Sequence, residues 1–232
     1  MSLPKVLIFT AVYEGKDYCF QEFLDWSKKL TYPNARHIFI DNSKDLKYFE
    51  KLKSMGLDAY HVDRGGSSRE ALARTQNLAR KILLDEGYDY LFSLESDIFC
   101  PPNIIEKLMI HQFNVISGLY MLGDKAKGQR VPCITVPHKT EKGTWGTRLL
   151  HPEEYMDYFH KGVKDVSAAG MGCCLIYKKV LKDTKFTYLP GHTAHSDVFF
   201  FMQVAKKGEI IFVDTDAFCD HKNSDWTKVV DH

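Results

Sequence analysis

The stretch YDYLFSLESDIFCPP, residues 88–102, decides the fold. Residues 89–94 form a compact run of strand length, and such a run suits a strand covered on both faces, as in a parallel sheet. Glu95 and Asp97 stand at its C-terminal end on alternate residues, so extended backbone would project both carboxylates to one side. Pro101 and Pro102 then open a helix expected to run through residue 111, because proline suits the first helical turn.

The same alternation continues on either side. Residues 5–12 (KVLIFTAV) predict a strand, and residues 19–30 a helix whose Phe20, Phe23, Leu24 and Leu30 give an apolar stripe. Strands at 36–40 and 57–62 enclose a helix at 46–55. Gly65 and Gly66 open a turn, and Ser67 followed by Glu70 has capping-box spacing, predicting a helix over 68–85. Residues 113–119 give a further strand. Strands alternating with helices imply a mostly parallel sheet in a three-layer α/β sandwich, with ligands beyond the C-terminal strand ends, at residues 10–13, 41–45 and 95–97.

Residues 120–165 break the rhythm, and between residues 124 and 148 six Lys or Arg face two acids. Extended segments at 166–169 and 172–177, helices at 178–182 and 197–206, and a strand at 209–213 follow.

At 232 residues the chain is long enough for one large domain, and 44% hydrophobic with 26% charged residues excludes disorder. Thirty-one basic against thirty acidic residues leave a formal charge of +1, so overall charge gives no argument for nucleic acid or an anionic membrane. The six cysteines include no C-x-x-C pair, which removes zinc-ribbon and thioredoxin-like readings and leaves reduced core residues. No apolar stretch approaches 18 residues and the N-terminal run is too short for a signal peptide, so a cytoplasmic location is expected.

The first strand end reads TAVYEG, without G-x-G-x-x-G, and no G-x-x-x-x-G-K-S/T loop occurs. Dinucleotide and P-loop sites are therefore disfavoured. Glu95 and Asp97 offer the oxygen ligands that Mg²⁺ or Mn²⁺ needs beside a diphosphate, although carboxylates also finish strands and cap helices without any ion. His221, within the FCDH segment at 218–221, adds an imidazole nitrogen better suited to Mn²⁺. Thr10, Ala11 and Val12 can wall a nucleobase, Glu14 can bind the nucleoside or solvate its loop, and Tyr13 can stack on the base or pack. Asp41 is suited to hydrogen-bond ribose or base, and Arg69 to reach a diphosphate. Asp197 after Ser196 fits a helix N-terminus.

In their order these motifs resemble glycosyltransferases of the GT-A fold, particularly the group related to family 2. Asp41-Asn42-Ser43-x-Asp45 resembles that group's nucleotide-recognition motif, and Glu95-x-Asp97 its metal-binding D-x-D, with glutamate in the first place. Arg74 with Asn77 resembles the helical region beside the nucleotide. Residues 169–173 (AGMGC) resemble the acceptor-side segment, His195-Ser196-Asp197 the region of the catalytic base, and His221 the late metal-binding histidine.

The resemblance spans residues 4–222 and implies a single α/β domain with a GT-A, Rossmann-like sheet and a smaller mixed acceptor-side region. Residues 1–119 would form the nucleotide-sugar half, 120–165 an insertion or lid, and 166–222 the acceptor-side half. The implied activity is metal-dependent transfer of a sugar from a nucleoside diphosphate sugar, UDP-linked first, to an acceptor hydroxyl. Glu95, Asp97 and His221 would hold Mn²⁺ or Mg²⁺. Thr10, Ala11, Val12, Glu14, Asp41, Arg69, Arg74 and Ser96 would line the donor site, and Asp197 would act as base in one inverting displacement. Lys142, Trp145 and Arg148 would close over the diphosphate. The same basic segment, with Lys125, Lys127, Arg130 and Lys139, would also suit a nucleic-acid acceptor, and a non-catalytic nucleotide-sugar or carbohydrate binder is the non-enzymatic alternative.

Overall fold

A computed structural model describes residues 3–124, 129–141 and 143–222, organised around one eight-stranded sheet. The first half alternates as expected: β1 (Val6–Val12), α1 (Asp17–Ser27), β2 (Ala35–Asp41), α2 (Lys47–Ser54), β3 (Ala59–His61), α3 (Ser68–Asp85) and β4 (Tyr90–Leu94). The short β5 (Ile98–Phe99), α4 (Ile104–Met109) and β6 (Val115–Leu119) follow. The Ser67 hydroxyl accepts the Glu70 N–H at 3.1 Å, which is why α3 begins where the capping pattern places it. By contrast α4 is shorter than expected, because the prolines are used in a turn that Ile104 closes on the Pro101 carbonyl at 2.9 Å.

Residues 120–165, where the strand–helix alternation breaks as expected, contain β7 (Met121–Asp124), β8 (Gln129–Pro132), β9 (Ile134–Lys139), β10 (Trp145–Leu149) and the start of β11 (Val163–Val166). β7 pairs antiparallel with β8, and β9 with β10. The chain then forms β12 (Ala168–Ala169), β13 (Cys173–Tyr177), α5 (Lys178–Asp183), α6 (Ser196–Lys206), β14 (Ile211–Phe218) and β15 (Asp220–His221).

The sheet order is β11-β14-β6-β13-β4-β1-β2-β3. β1 to β4, β6 and β14 run one way, while β13 is antiparallel to both its neighbours and β11 to β14. β13 thus separates β4 from β6, and six of the eight strands point their C-terminal ends at the same edge.

Both faces of the sheet are covered. On β1, Val6, Ile8 and Val12 join Phe20, Phe23 and Leu24 of α1, Leu52 of α2 and Ile104, Ile105 and Leu108 of α4. Leu7 and Phe9 point the other way, to Ala79, Ile82 and Leu83 of α3 and Phe200, Phe201 and Val204 of α6. Burying a Leu, Ile or Phe side chain is worth about 1.5–3 kcal/mol, so the doubly covered strands fix the register that sets the site. The cysteines are unpaired thiols, and the buried Cys100, Cys173 and Cys219 meet with their sulfurs within 4.8 Å of one another. Among the described residues no helix is long and apolar enough to cross a membrane.

Candidate functional site

At the C-terminal edge of the sheet, β4 stops at Leu94. The Glu95 N–H donates to the Gly172 carbonyl at 3.0 Å and the Ile98 N–H to the Glu95 carbonyl at 3.1 Å. Residues 95–98 are therefore a turn, not the extended segment expected. The two carboxylates nonetheless reach one point through a residue that sequence reasoning missed. Lys16 Nζ lies 3.0 Å from Asp97 Oδ1 and 3.6 Å from Glu95 Oε2.

His221 arrives by a different route. β15 pairs antiparallel with β5, setting His221 opposite Ile98. Its Nδ1 lies 2.8 Å from the Met121 carbonyl, which can only accept, so Nδ1 carries the proton and fixes the ring. Nε2 is then turned to Asp97 Oδ2 at 3.5 Å. The Tyr18 hydroxyl donates to the same oxygen at 3.4 Å.

The electrostatics follow this packing. Burial favours the neutral form of Asp97, but Lys16 and His221 outweigh it and hold the carboxyl below its usual range. Burial pushes Glu95 upward, opposed by Lys16 and reinforced by the charge of Asp97. For Lys16, burial disfavours the ammonium, yet Asp97 and Glu95 dominate and keep it charged above the ordinary lysine range. Carboxylates with an oriented imidazole are chemistry that suits Mn²⁺, and the ammonium between the two carboxylates marks the place as suited to a cation. Glu95 joins Asp97 and His221 only through Lys16, and the three ligand atoms are not drawn within 4.8 Å of one another as the cysteine sulfurs are.

On the nucleotide side, Thr10 is buried and its hydroxyl bonds His37 Nε2 at 2.9 Å, so that side chain serves the core and leaves the backbone of residues 10–12 as the wall. Val12 is fully buried and Ala11 half-buried. Asp41 is also fully buried, with Oδ1 accepting the Ser43 N–H at 3.1 Å and its hydroxyl at 2.6 Å, and with Oδ2 on His61 Nδ1 at 2.7 Å. Ser43 Oγ in turn accepts the Glu14 N–H at 3.3 Å, which joins the ends of β1 and β2, while the Glu14 side chain is exposed. Arg64 lies over the Tyr13 ring at 5.5 Å, a cation–aromatic pair at the mouth of this crevice that sequence reasoning also missed.

Arg69 is half-buried in the first turn of α3. Arg74 is committed elsewhere: it donates to Asp63 Oδ1 and to Glu70 Oε1, both at 2.7 Å, clamping the turn before α3. Asn77 likewise holds the Phe186 backbone on both sides, at 2.7 Å and 3.1 Å. Ser96 is fully buried between the carboxylates, and its hydroxyl has no partner among the described residues.

Asp197 begins the first turn of α6, and its Oδ1 accepts the Val198 N–H at 2.7 Å. Ser196 is buried and donates to Gln76 Oε1 at 2.5 Å, which anchors this end of α6 on α3. Burial raises the Asp197 carboxyl above its usual range, against His195 and the local N–H groups. Its charge is the smallest of the influences that raise Glu95. Gly170 and Gly172 do not open space for a substrate. A Cβ at Gly170 would lie 1.9 Å from the Tyr120 hydroxyl, and one at Gly172 2.9 Å from it. Both glycines make room for that buried ring.

In the basic segment, Arg148 is paired within its own region, donating to both oxygens of Glu154 at 2.6 and 2.7 Å. Trp145 and Lys139 are exposed at opposite ends of one rung of the β9–β10 hairpin. Lys125, Lys127 and Lys142 lie outside the described residues.

No family model matches the chain, and no curated protein does either. Among solved structures, the chain is similar to the crystal structure of GalNAc-T7 with UDP, GalNAc and Mn²⁺, at a TM-score of 0.62 and 14% identity. The likeness covers 94% of this chain and 43% of that one, so the chain spans about two fifths of its structural neighbour. It shows the fold expected from the motifs, the GT-A arrangement of a mostly parallel sheet between helical layers, and does not extend to membership of family 2.

Proposed function

We propose that the chain is a nucleotide-sugar-dependent glycosyltransferase that moves a sugar from a nucleoside diphosphate to an acceptor hydroxyl. The observation that supports this reading is that Asp97 meets both His221 and Lys16, and Lys16 also meets Glu95, at the strand-end edge of a GT-A sheet, although His221 lies more than a hundred residues from the carboxylates in sequence. Mn²⁺ is the preferred ion, and UDP the preferred nucleotide, the pair named in the structural neighbour.

A divalent ion bound by these residues would neutralise charge developing on the departing diphosphate. The backbone of residues 10–12 and the Asp41 loop position the nucleoside, with Tyr13 and Arg64 at its mouth. On the acceptor side, Asp197 takes the hydroxyl proton as the acceptor oxygen forms its bond to the sugar's anomeric carbon. The bond from that carbon to the diphosphate oxygen breaks in the same step, with inversion. Burial raises Asp197 in the direction that improves a proton acceptor.

The test is isothermal titration with UDP and other nucleoside diphosphates, with and without Mn²⁺, followed by NMR of protein incubated with UDP-sugars. Mn²⁺-dependent nucleotide binding together with donor hydrolysis or transfer is expected. Binding without turnover on any donor would favour a non-catalytic binder, and absence of nucleotide binding would reject the reading.

A further inference from the structure

Lys16 makes the closest contact to the carboxylate pair, and neither the motif pattern nor the proposed transfer uses it. Its backbone is fixed. The Lys16 N–H donates to the Tyr13 carbonyl at 3.0 Å, and the neighbouring Asp17 is held by Lys51 at 2.7 Å and by Tyr48 at 3.1 Å. The Cys19 thiol faces both the Lys16 and the Ser96 carbonyls, at 3.8 and 3.4 Å, tying this turn to the one that carries Asp97. A rigid base therefore presents a long flexible arm whose ammonium takes Asp97 Oδ1 and approaches Glu95 Oε2. Those are the oxygens a divalent ion would need, and two cations on the same oxygens repel.

We propose that Lys16 is a tethered counter-cation of the metal site: it holds Glu95 and Asp97 together in the metal-free protein, is displaced by the incoming divalent ion, and then binds the donor diphosphate. The last step rests on the nucleotide-sugar reading; displacement by the metal does not. Charge requires the first half, because the buried Asp97 carboxylate, with the part-exposed Glu95 beside it, would be strongly destabilised without a cation. The second half follows from position and chemistry. Lys16 ends the turn Glu14–Lys16 directly after β1, at the mouth of the strand-end crevice, and a released ammonium needs a new anion. A compact charge with three donors suits phosphate oxygens. Arg74 and Arg148, both expected to serve the donor, are instead committed to carboxylates.

The experiment titrates Mn²⁺ alone, and then UDP at saturating Mn²⁺, into wild-type protein, Lys16→Met and Lys16→Gln, with thermal unfolding as the folding control. Removing the tethered cation is expected to tighten bare Mn²⁺ at least tenfold and to weaken UDP at least tenfold. Opposite signs separate this role from a merely structural one, which would weaken both. Unchanged or weaker Mn²⁺ binding by both folded variants overturns the counter-cation, and unchanged UDP affinity overturns the diphosphate contact. If no form binds UDP while the variants still tighten Mn²⁺, the displacement stands and the nucleotide-sugar reading falls. Lys16→Gln keeps a hydrogen-bond donor without charge, so it carries the test if Lys16→Met does not fold.

Discussion

Replacing Gly170 with alanine tests the packing around Tyr120, the ring that meets His221. The new Cβ would lie 1.9 Å from the Tyr120 hydroxyl, 2.4 Å from Cζ and 2.6 Å from Cys133 Sγ. Neither side yields easily. The Gly170 backbone is pinned by its N–H on the Cys133 carbonyl and by Ser117 Oγ on its own carbonyl, both at 2.9 Å. The Tyr120 ring is 3% exposed, meets His221 edge-on at 5.6 Å, and accepts the Gly172 N–H at 3.1 Å. Gly170 is not among the glycines with positive φ, so the penalty is steric. Overpacking costs about 1–3 kcal/mol and the broken hydrogen bond about 1 kcal/mol more, together about 2–4 kcal/mol. For a chain of this size that lowers Tm by roughly 4–16 °C. Urea and thermal unfolding of Gly170→Ala, Tyr120→Leu and the double variant give the coupling directly. The double variant should recover at least about 1 kcal/mol relative to additivity, because the obstructing ring is gone. Wild-type stability in Gly170→Ala, or strict additivity, would refute the clash with Tyr120.

Asp97→Asn should lower Mn²⁺ affinity at least tenfold by calorimetry with a preserved far-ultraviolet spectrum; full affinity would remove Asp97 from the ligand set. Asp41→Ala strands the Ser43 and His61 donors and should cost about 2–4 kcal/mol in urea unfolding, whereas unchanged stability would argue against the closed loop. Burial holds the His37 imidazole down at about 3 beside Phe39, so the unfolded chain alone binds its proton between about 6.5 and about 3. Stability is therefore lost as pH falls through that window, by about 2 kcal/mol from pH 7 to pH 5, and His37→Gln should flatten the profile by that amount in urea titrations at the two pH values. Asp197→Asn should reduce kcat at least a hundredfold with an inverted product anomer seen by NMR in the wild type; a retained anomer or near-normal turnover would reject Asp197 as base.

The local elements were largely legible because short-range chemistry determines them. The Ser67–Glu70 spacing located α3, and β1 and β4 read as doubly covered strands from their continuous apolar runs. Pairing was not legible. β13 is buried along Cys173–Ile176 as β4 and β6 are, so its sequence carries no mark of running antiparallel between them. The strands within residues 120–165 were not legible because they bury little: in β9 only Ile134 and Val136 are buried, and β10 is mostly exposed. A half-covered hairpin needs few apolar residues when a neighbouring strand supplies its hydrogen bonds.

The site divides in the same way. Glu95, Asp97 and His221 stood out because carboxylates at a strand end and a late histidine are unusual in a fixed order, while Lys16, in the charged loop after β1, is indistinguishable in sequence from a solvated lysine. Its meaning comes from desolvation. Asp97 is 1% exposed and accepts from Tyr18 as well as Lys16, so the carboxylate has exchanged water for protein donors. A buried carboxylate without a counter-charge would take up a proton, and protonated Asp97 could not serve as an anionic ligand. The fold must therefore keep a cation on this pair when no metal is present, and Lys16 is the cation that the backbone geometry supplies. A sequence search for metal ligands at a strand end should accordingly include the lysines of the loop after the strand that pairs beside it, because the residue that preserves the charge of such ligands also decides how readily the metal displaces it.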